Sequence, residues 1–225
     1  MKIGIGVTTY NRPKHIENWL TQIRLYCAVD VVYLADDCND RKGIAYRKNE
    51  CLRALKDCDY IFLFDDDTFP IKEGWAEFFI EAHKASGQHH FLYLKETPTI
   101  KIIDAIGSQD GFINIYNNCA GSFMFLTKEV IEKVGALNPL YGIYGYEHAG
   151  YSNRIHEAGL TPMGKYLCPT GAGEYIYAMD FDYHLPFNKQ VNHEPSLKNE
   201  LHLLGEYLGN NKKIYEMDNV IYLPL

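Results

Sequence analysis

The sequence predicts an α/β protein in which helices flank a mostly parallel central sheet. Its N-terminal part alternates short apolar runs with segments of helical hydrophobic period, in the order β-α-β-α-β. Polar side chains follow each of these apolar runs. The composition, with 47% hydrophobic and 23% charged residues, is that of a globular domain. Because ligands bind beyond the carboxyl ends of parallel strands, the polar residues after the strands mark the expected site.

Hydrophobic period and intervening turn residues predict the elements of the first half. Ile16, Trp19 and Ile23 repeat at helical spacing, whereas the strands are short unbroken apolar runs. In chain order we expect a strand at 2–8, the helix through 16–23, a strand at 29–35, a helix at 43–56, a strand at 60–64 and a helix at 71–86.

The second half reads as short strands and helices separated by Gly, Asn and Pro turn signals. Thr127 and Gly135 are suited to cap the two ends of one helix. In chain order we expect strands at 91–94, 101–106, 112–116 and 122–126, a helix at 128–134, a loop at 138–146, a helix at 147–158, a strand at 163–168, a helix through 197–208 and a strand at 220–223.

Composition narrows the class of protein. The net charge of −7 argues against a nucleic-acid partner, because proteins that bind nucleic acids usually present a basic face. The sequence has no run of 18 apolar residues and no signal-peptide pattern, so neither integral membrane association nor secretion is expected. The six cysteines form no C-x-x-C pair and read as reduced thiols. We therefore expect a cytoplasmic protein.

The strongest chemical signal is the acidic triplet Asp65-Asp66-Asp67, directly after an apolar strand. Adjacent carboxylates repel one another unless a cation or hydrogen-bond donors neutralise them. In an extended chain the first and third face the same side, so Asp65 and Asp67 can share one ion. Hard oxygen ligands suit Mn²⁺ or Mg²⁺, which also bind phosphate. The solvated acidic loop is the alternative interpretation.

Three further clusters lie at or near the same sheet edge. The segment 8–12 (TTYNR) offers hydroxyls, a ring and the guanidinium of Arg12 for a base and phosphates, although it lacks the Gly pattern of a dinucleotide site or a P-loop. Asp36 can accept from a base or a ribose hydroxyl. Lys48 and its neighbour Arg47 can approach a pyrophosphate.

Two clusters in the second half complete the candidate site. Glu147 and His148 open a helix after the Gly/Tyr-rich loop and offer two candidate general bases. His184 or His193 is expected to complete the metal site that Asp67 begins. For each of these residues, ordinary packing or helix capping is the competing interpretation.

Taken together, these segments resemble the GT-A fold glycosyltransferases of the family 2 type, within the nucleotide-diphospho-sugar transferases. The resemblance rests on IGIGVTTYNRP, YLADDCND, the block GIAYRKNECLRALKDCDYIFLFDDDTFP with its DXD motif, and LYGIYGYEHAGYSNRIHEAGL. It spans roughly residues 3–160, and the central block is its most specific part. It implies one GT-A domain over residues 1–225, with a Rossmann-like nucleotide-sugar-binding half (1–98) and a smaller mixed-sheet acceptor-binding and catalytic half (99–225).

The resemblance also implies roles for single residues. The family's base is usually an Asp at the position of His148, so the base assignment stays open between Glu147 and His148. The implied reaction is an inverting, metal-dependent transfer from a nucleoside diphosphate sugar, most plausibly UDP-linked, to a carbohydrate or other hydroxyl acceptor. The implied nucleotide contacts are Thr8, Tyr10, Asp36, Lys48 or Arg47, Asp65 and Asp66, and the implied metal ligands are Asp65 and Asp67.

Two other functions fit parts of the pattern. A sugar-nucleotide synthesis enzyme would need a Gly-rich basic loop after the first strand, where this sequence has TTYNRP. A non-catalytic nucleotide-sugar-binding protein with a degenerate site is the main alternative, because the Glu-His pair departs from the family pattern.

Overall fold

The computed structural model describes residues 1–26, 29–108, 111–181 and 201–225. It is a mixed α/β fold with helices on the faces of a central sheet. In chain order its helices and strands are β1 (Ile3–Thr9), α1 (Pro13–Tyr26), β2 (Val31–Asp36), α2 (Ile44–Leu55), β3 (Tyr60–Asp65), β4 (Thr68–Pro70), α3 (Trp75–Ser86), β5 (His90–Leu92), β6 (Ile102–Ser108), β7 (Gly111–Tyr116), β8 (Phe123–Thr127), α4 (Lys128–Lys133), α5 (Glu147–Glu157), β9 (Leu167–Pro169), β10 (Ile176–Ala178) and α6 (Leu201–Met217).

The central sheet has five strands in the order β2-β1-β3-β8-β5. β1 pairs in parallel with β2 and β3, while β8 lies antiparallel between β3 and β5. Four of the five strands therefore run in one direction, which confirms the predicted mostly parallel sheet. β8 lies after residue 98 and is part of the central sheet, so both predicted halves contribute strands to this sheet.

Two small sheets stand beside the central one, with strand orders β6-β7-β9 and β10-β4. Sequence analysis missed the β4–β10 pair, since three residues per strand show no recognisable period. The predicted helix at 71–86 begins only at Trp75, after the left-handed residue Gly74. The predicted strand at 163–168 is shorter and shifted to Leu167–Pro169. Instead of the strand predicted at 220–223, only an isolated bridge joins Leu223 to Gly135.

The core explains why glycine occurs inside a buried strand. A side chain at Gly6 would bring a Cβ within 2.5 Å of Cys51 Cβ on α2, so only glycine permits this close helix–sheet contact. On the other face, Phe62 of β3 packs edge-to-face on Trp75 of α3 with ring centroids 4.7 Å apart. Burial on both faces fixes β1 and β3 and thereby positions the residues at their carboxyl ends.

Candidate active site

A cavity of about 300 Å³ opens at the carboxyl ends of β1 and β3. Its position is the one that the sequence predicts for a ligand of a parallel sheet. Its lining residues are Thr8, Thr9, Tyr10, Arg12, Asp37, Arg41, Ile44, Arg47, Asp65, Asp66, Asp67, Ile143, Tyr144 and Asp180.

Strand pairing brings the hydroxyls of β1 onto the acidic triplet. The parallel register sets Thr8 opposite Asp65, and the Thr8 hydroxyl donates to Asp65 Oδ1 at 2.8 Å. The Thr9 hydroxyl donates to Asp66 Oδ2 at 2.6 Å. The carboxylates are therefore held in place from the neighbouring strand before any ligand arrives.

Arg12 supplies positive charge to the triplet. Asn11 has a left-handed φ of 53°, and α1 begins two residues later at Pro13. Arg12 NH1 lies 2.6 Å from Asp66 Oδ1 and 2.9 Å from Asp67 Oδ2. Burial raises the pKa of Asp66 above its ordinary value, against the opposing charge of Arg12. Arg12 thus offsets part of the cost of burying this carboxylate.

Asp180, which sequence analysis did not select, adds a further carboxylate to this wall. It follows β10, so the small β4–β10 sheet brings it beside the triplet. Partial burial, and then the charges of Asp67 and Asp65, raise the pKa of Asp180 to about 6. No motif in the sequence around Asp180 distinguishes it, because its place depends on a contact between distant segments.

The donor atoms at this wall fit a divalent cation. In the described part of the chain, no three His, Cys, Asp or Glu side chains converge closely enough to hold a metal by themselves. Mg²⁺-type ions are commonly held by one or two carboxylates together with water and substrate phosphates, and Asp65 and Asp67 offer that set. The predicted third ligand, His184, and its alternative, His193, both lie outside the described residues.

The acidic pair at the end of β2, Asp36 and Asp37, has one exposed and one buried member. Asp37 is 3% exposed and accepts from the backbone N–H groups of Lys42 and Gly43 and from the side chains of Arg41 and Arg47. Four donors occupy both of its oxygens, so Asp37 fixes the loop before α2. Asp36, the residue that we predicted to contact the nucleoside, is exposed and accepts from the Cys38 N–H at 2.9 Å, but it does not line the cavity.

The two basic neighbours on α2 have different surroundings. Arg47 lines the cavity and forms ion pairs with Asp37, Asp40 and Glu50. Lys48 is fully buried. Its ammonium donates to Gly121 O at 2.5 Å and lies 3.2 Å from Asp65 Oδ1. Lys48 thus contacts the triplet through Asp65 and does not line the cavity. The side chain of Arg47, in contrast, is part of the cavity lining.

Tyr10 and Arg41 form the outer part of the cavity. The Arg41 guanidinium stacks on the Tyr10 ring, 3.6 Å from its centroid, and pairs with Asp37 at 3.1 Å. Arg41 adopts a left-handed φ of 45°. Sequence analysis selected Tyr10 but missed Arg41, because the stack depends on the loop conformation that Asp37 fixes.

Glu147 and His148 form an ion pair at the start of α5, outside the set of cavity-lining residues. Glu147 Oε1 and His148 Nδ1 are 2.8 Å apart, and the side-chain exposures are 2% and 17%. Burial alone would lower the pKa of His148, but the charge of Glu147 and the contact with the Cys119 thiol raise it instead. Burial opposes ionisation of Glu147 too, yet His148 lowers its pKa. His148 is the more accessible member, and Glu147 fixes its orientation.

Gly121 connects this pair to Lys48. A side chain at Gly121 would place a Cβ inside the contact distance of the His148 ring, and the carbonyl of the same residue accepts from Lys48. The backbone at Gly121 therefore lies between the Glu147–His148 pair and the buried ammonium of Lys48. Sequence analysis missed Gly121, because nothing near it in the chain indicates the approach of α5.

Comparison with solved structures identifies the fold. The chain aligns with the catalytic domain of Drosophila β1,4-galactosyltransferase 7, determined with xylobiose, at a TM-score of 0.52 and 14% identity, over 82% of this chain and 73% of that one. A mannosyltransferase from Pyrobaculum calidifontis, determined with GDP-Man and Mn²⁺, gives a TM-score of 0.53 and 14% identity, over 71% of this chain and 53% of that one. The chain has the GT-A fold of these glycosyltransferases.

The sequence comparison agrees with the fold. A curated protein of Acanthamoeba polyphaga mimivirus, named as an uncharacterized glycosyltransferase, is 27% identical over 199 residues, which cover 72% of this chain and 76% of that protein. No protein-family model matches the chain. The resemblance to GT-A glycosyltransferases predicted from the sequence is confirmed, and a glycosyltransferase function is supported.

Within the residues that the structure describes, no helix is both long enough and apolar enough to cross a bilayer.

Proposed function

We propose that the protein is an inverting, divalent-metal-dependent glycosyltransferase that uses a nucleoside diphosphate sugar, with UDP as the nucleotide. The observation that carries the proposal is the acidic triplet, held by Thr8, Thr9 and Arg12 at a cavity beyond the sheet. Two structural neighbours support the nucleotide and the metal. A variant of Drosophila β1,4-galactosyltransferase 7 was determined with manganese, UDP-Gal and xylobiose, and the Pyrobaculum mannosyltransferase with GDP-Man and Mn²⁺.

The nucleotide-binding half (residues 1–98) supplies the donor contacts in this proposal. Tyr10 and Asp36 bind the nucleoside, and Asp65 and Asp67 hold a Mn²⁺ or Mg²⁺ ion with the help of His184. Such an ion stabilises the negative charge that develops on the leaving diphosphate. Arg12 and Arg47 line the same cavity and add fixed positive charge near the phosphates. Lys48 lies 3.2 Å from Asp65 on the protein side, and its charge favours the ionised form of that carboxylate.

The second half (residues 99–225) supplies the acceptor side and the base. The acceptor hydroxyl oxygen forms a bond to the anomeric carbon while the bond to the diphosphate breaks. We assign the acceptor's proton to the neutral form of His148, because its side chain is more exposed than that of Glu147. Since Glu147 raises the pKa of His148, this neutral form becomes more populated as pH rises. Glu147 orients the ring through Nδ1 and stabilises the imidazolium that forms, as a carboxylate does in a His-based triad.

A screen of nucleotide sugars with Mn²⁺, reading released diphosphate, tests the proposal. We expect turnover with at least one UDP-sugar and loss of metal dependence in Asp67→Ala. Calorimetry with UDP, with and without Mn²⁺, should show tighter binding with the metal. Equal affinity in both conditions would refute the metal role. Tight binding without turnover for every donor and acceptor would favour the alternative, a nucleotide-sugar-binding protein with a degenerate site.

A further inference from the structure

The C-terminal helix α6 presents one face to the aromatic loop, which we define as residues 138–146. Leu208, Asn211 and Tyr215 share this face at helical spacing, and Asp218 follows directly after the helix. Asp218 Oδ2 accepts from Asn138 Nδ2 at 3.1 Å. The loop is therefore held by a segment more than 60 residues further along the chain.

Asn211 makes the central contact. Its side chain is 5% exposed, and Nδ2 lies 2.6 Å from Tyr141 O, 2.8 Å from Tyr144 O and 2.9 Å from Gly145 O. The two N–H groups of this amide thus lie within hydrogen-bond distance of three backbone carbonyls of the same loop, so one N–H is shared between two carbonyls. Buried carbonyls that lose their donor carry a desolvation cost, so these bonds favour the observed loop conformation over alternatives.

The loop needs such support because its backbone is unusual. Gly145 has a φ of 100°, and Tyr146 has a left-handed φ of 68°, which is uncommon for a bulky residue. Residues in such conformations persist only where surrounding contacts hold them. On the opposite side, the Ile44 N–H donates to Ile143 O at 3.3 Å, so the start of α2 and the face of α6 hold the loop from two directions.

The position of the loop affects both parts of the site. Ile143 and Tyr144 form one wall of the cavity, and the loop leads directly into α5, which begins with Glu147. A shift of the loop would open this wall and move the Glu147–His148 pair. Holding reacting groups in the correct geometry contributes strongly to catalysis, and small misplacements lower the rate.

We propose that Asn211 is a positioning residue, which holds the aromatic loop closed over the donor cavity and sets the start of α5. This inference rests on the proposed function and assigns a role in it to the C-terminal helix. Asn211 acts through the loop backbone, because the hydrogen bonds of its amide end on backbone carbonyls.

The test compares Asn211→Ala with Asn210→Ala. Asn210 is the exposed neighbour on the same helix and provides a matched control. Asn211→Ser retains one donor and serves as a milder second variant where the alanine variant folds poorly. We expect Asn211→Ala to lower kcat about 10–100-fold per folded molecule, Asn211→Ser to lie between it and the wild type, and Asn210→Ala to match the wild type.

Hydrogen exchange of loop residues 142–146 provides a readout that does not depend on turnover. We expect faster exchange there in Asn211→Ala, with unchanged exchange in β1 and β3. A loop that exchanges as slowly as in the wild type overturns the inference, as does an unchanged kcat per folded molecule. If the wild type turns over no donor, the proposed function fails, and the exchange comparison together with UDP affinity still decides the role of Asn211.

Discussion

Replacing Lys48 by methionine removes one positive charge from the interior and keeps most of the side-chain volume. Lys48 is fully buried, whereas its partner Asp65 is 23% exposed. Burial raises the pKa of Asp65, and the Lys48 charge is the largest effect that lowers it. In Lys48→Met the carboxylate therefore stays partly buried without its ammonium, and Gly121 O loses its donor.

The structure sets the expected size of this effect. Removing one member of a buried ion pair costs about 3–5 kcal/mol, and the partial exposure of Asp65 favours the lower end, about 3 kcal/mol. For a chain of 225 residues this corresponds to a decrease in Tm of roughly 6–12 °C. The defect should diminish toward acid pH, because protonation of Asp65 removes the unpaired charge.

Urea unfolding and thermal scans at pH 5 and pH 7.5 provide the assay. Lys72→Met is the matched control. Lys72 and its partner Glu174 are 49% and 69% exposed, so solvent screens their charges and the variant should keep a stability close to that of the wild type. The double variant Lys48→Met/Asp65→Asn should recover part of the loss. A Tm within about 2 °C of the wild type, or no recovery in the double variant, would refute the reasoning.

Three further predictions concern ligand binding, the base and pH. Asp36→Ala should weaken UDP affinity with little change in Tm, because Asp36 is exposed; calorimetry and a thermal scan check both parts. His148→Asn should lower kcat for transfer by about 10²–10⁴-fold and leave UDP affinity intact, because a base acts on the acceptor. In the wild type, Glu147 raises the pKa of His148, so activity should still increase with pH above about 6.5.

The same ion pair predicts how stability depends on pH. A raised pKa for His148 contributes stability that is complete below the unfolded pKa near 6.5 and is lost as pH rises toward the folded value. The stability difference between the wild type and Glu147→Gln should therefore narrow above pH 6.5, by at most about 1.4 kcal/mol per pH unit. A stability difference between the wild type and Glu147→Gln that stays constant from pH 6 to pH 9 would contradict the ion pair. For the prediction on the base, normal turnover in His148→Asn would exclude His148 from that role.

The part of the site that sequence analysis predicted depends on local pattern. Buried strands are continuous apolar runs, so the position of Asp65 at the end of β3 follows from the sequence alone. The register of β1 on β3 then sets Thr8 beside it without further information. Two local patterns, the ends of β1 and β3, together with parallel pairing, are therefore enough to predict that Thr8 and Asp65 lie side by side.

The residues that sequence analysis missed depend on contacts between distant segments. Asp180 reaches the triplet through strands of three residues, too short to show a hydrophobic period. Gly121 matters because α5 packs His148 against it, and Asn211 because α6 packs on a loop far from it in sequence. The predicted strand at 220–223 failed for a related reason, because its apolar residues found only one bridging partner, Gly135.

The antiparallel strand β8, which lies between β3 and β5, affects when the chain can fold during synthesis and which fragments of it can be stable. β8 fills the space between β3 and β5, so the central sheet stays open until residue 127 has been made. A fragment ending at residue 98 would expose the edge of β3, an apolar strand with unpaired backbone groups, which is a template for aggregation. A fragment of residues 1–98 therefore should not be stable when expressed alone. During synthesis, the central sheet cannot be completed until β8 has been made.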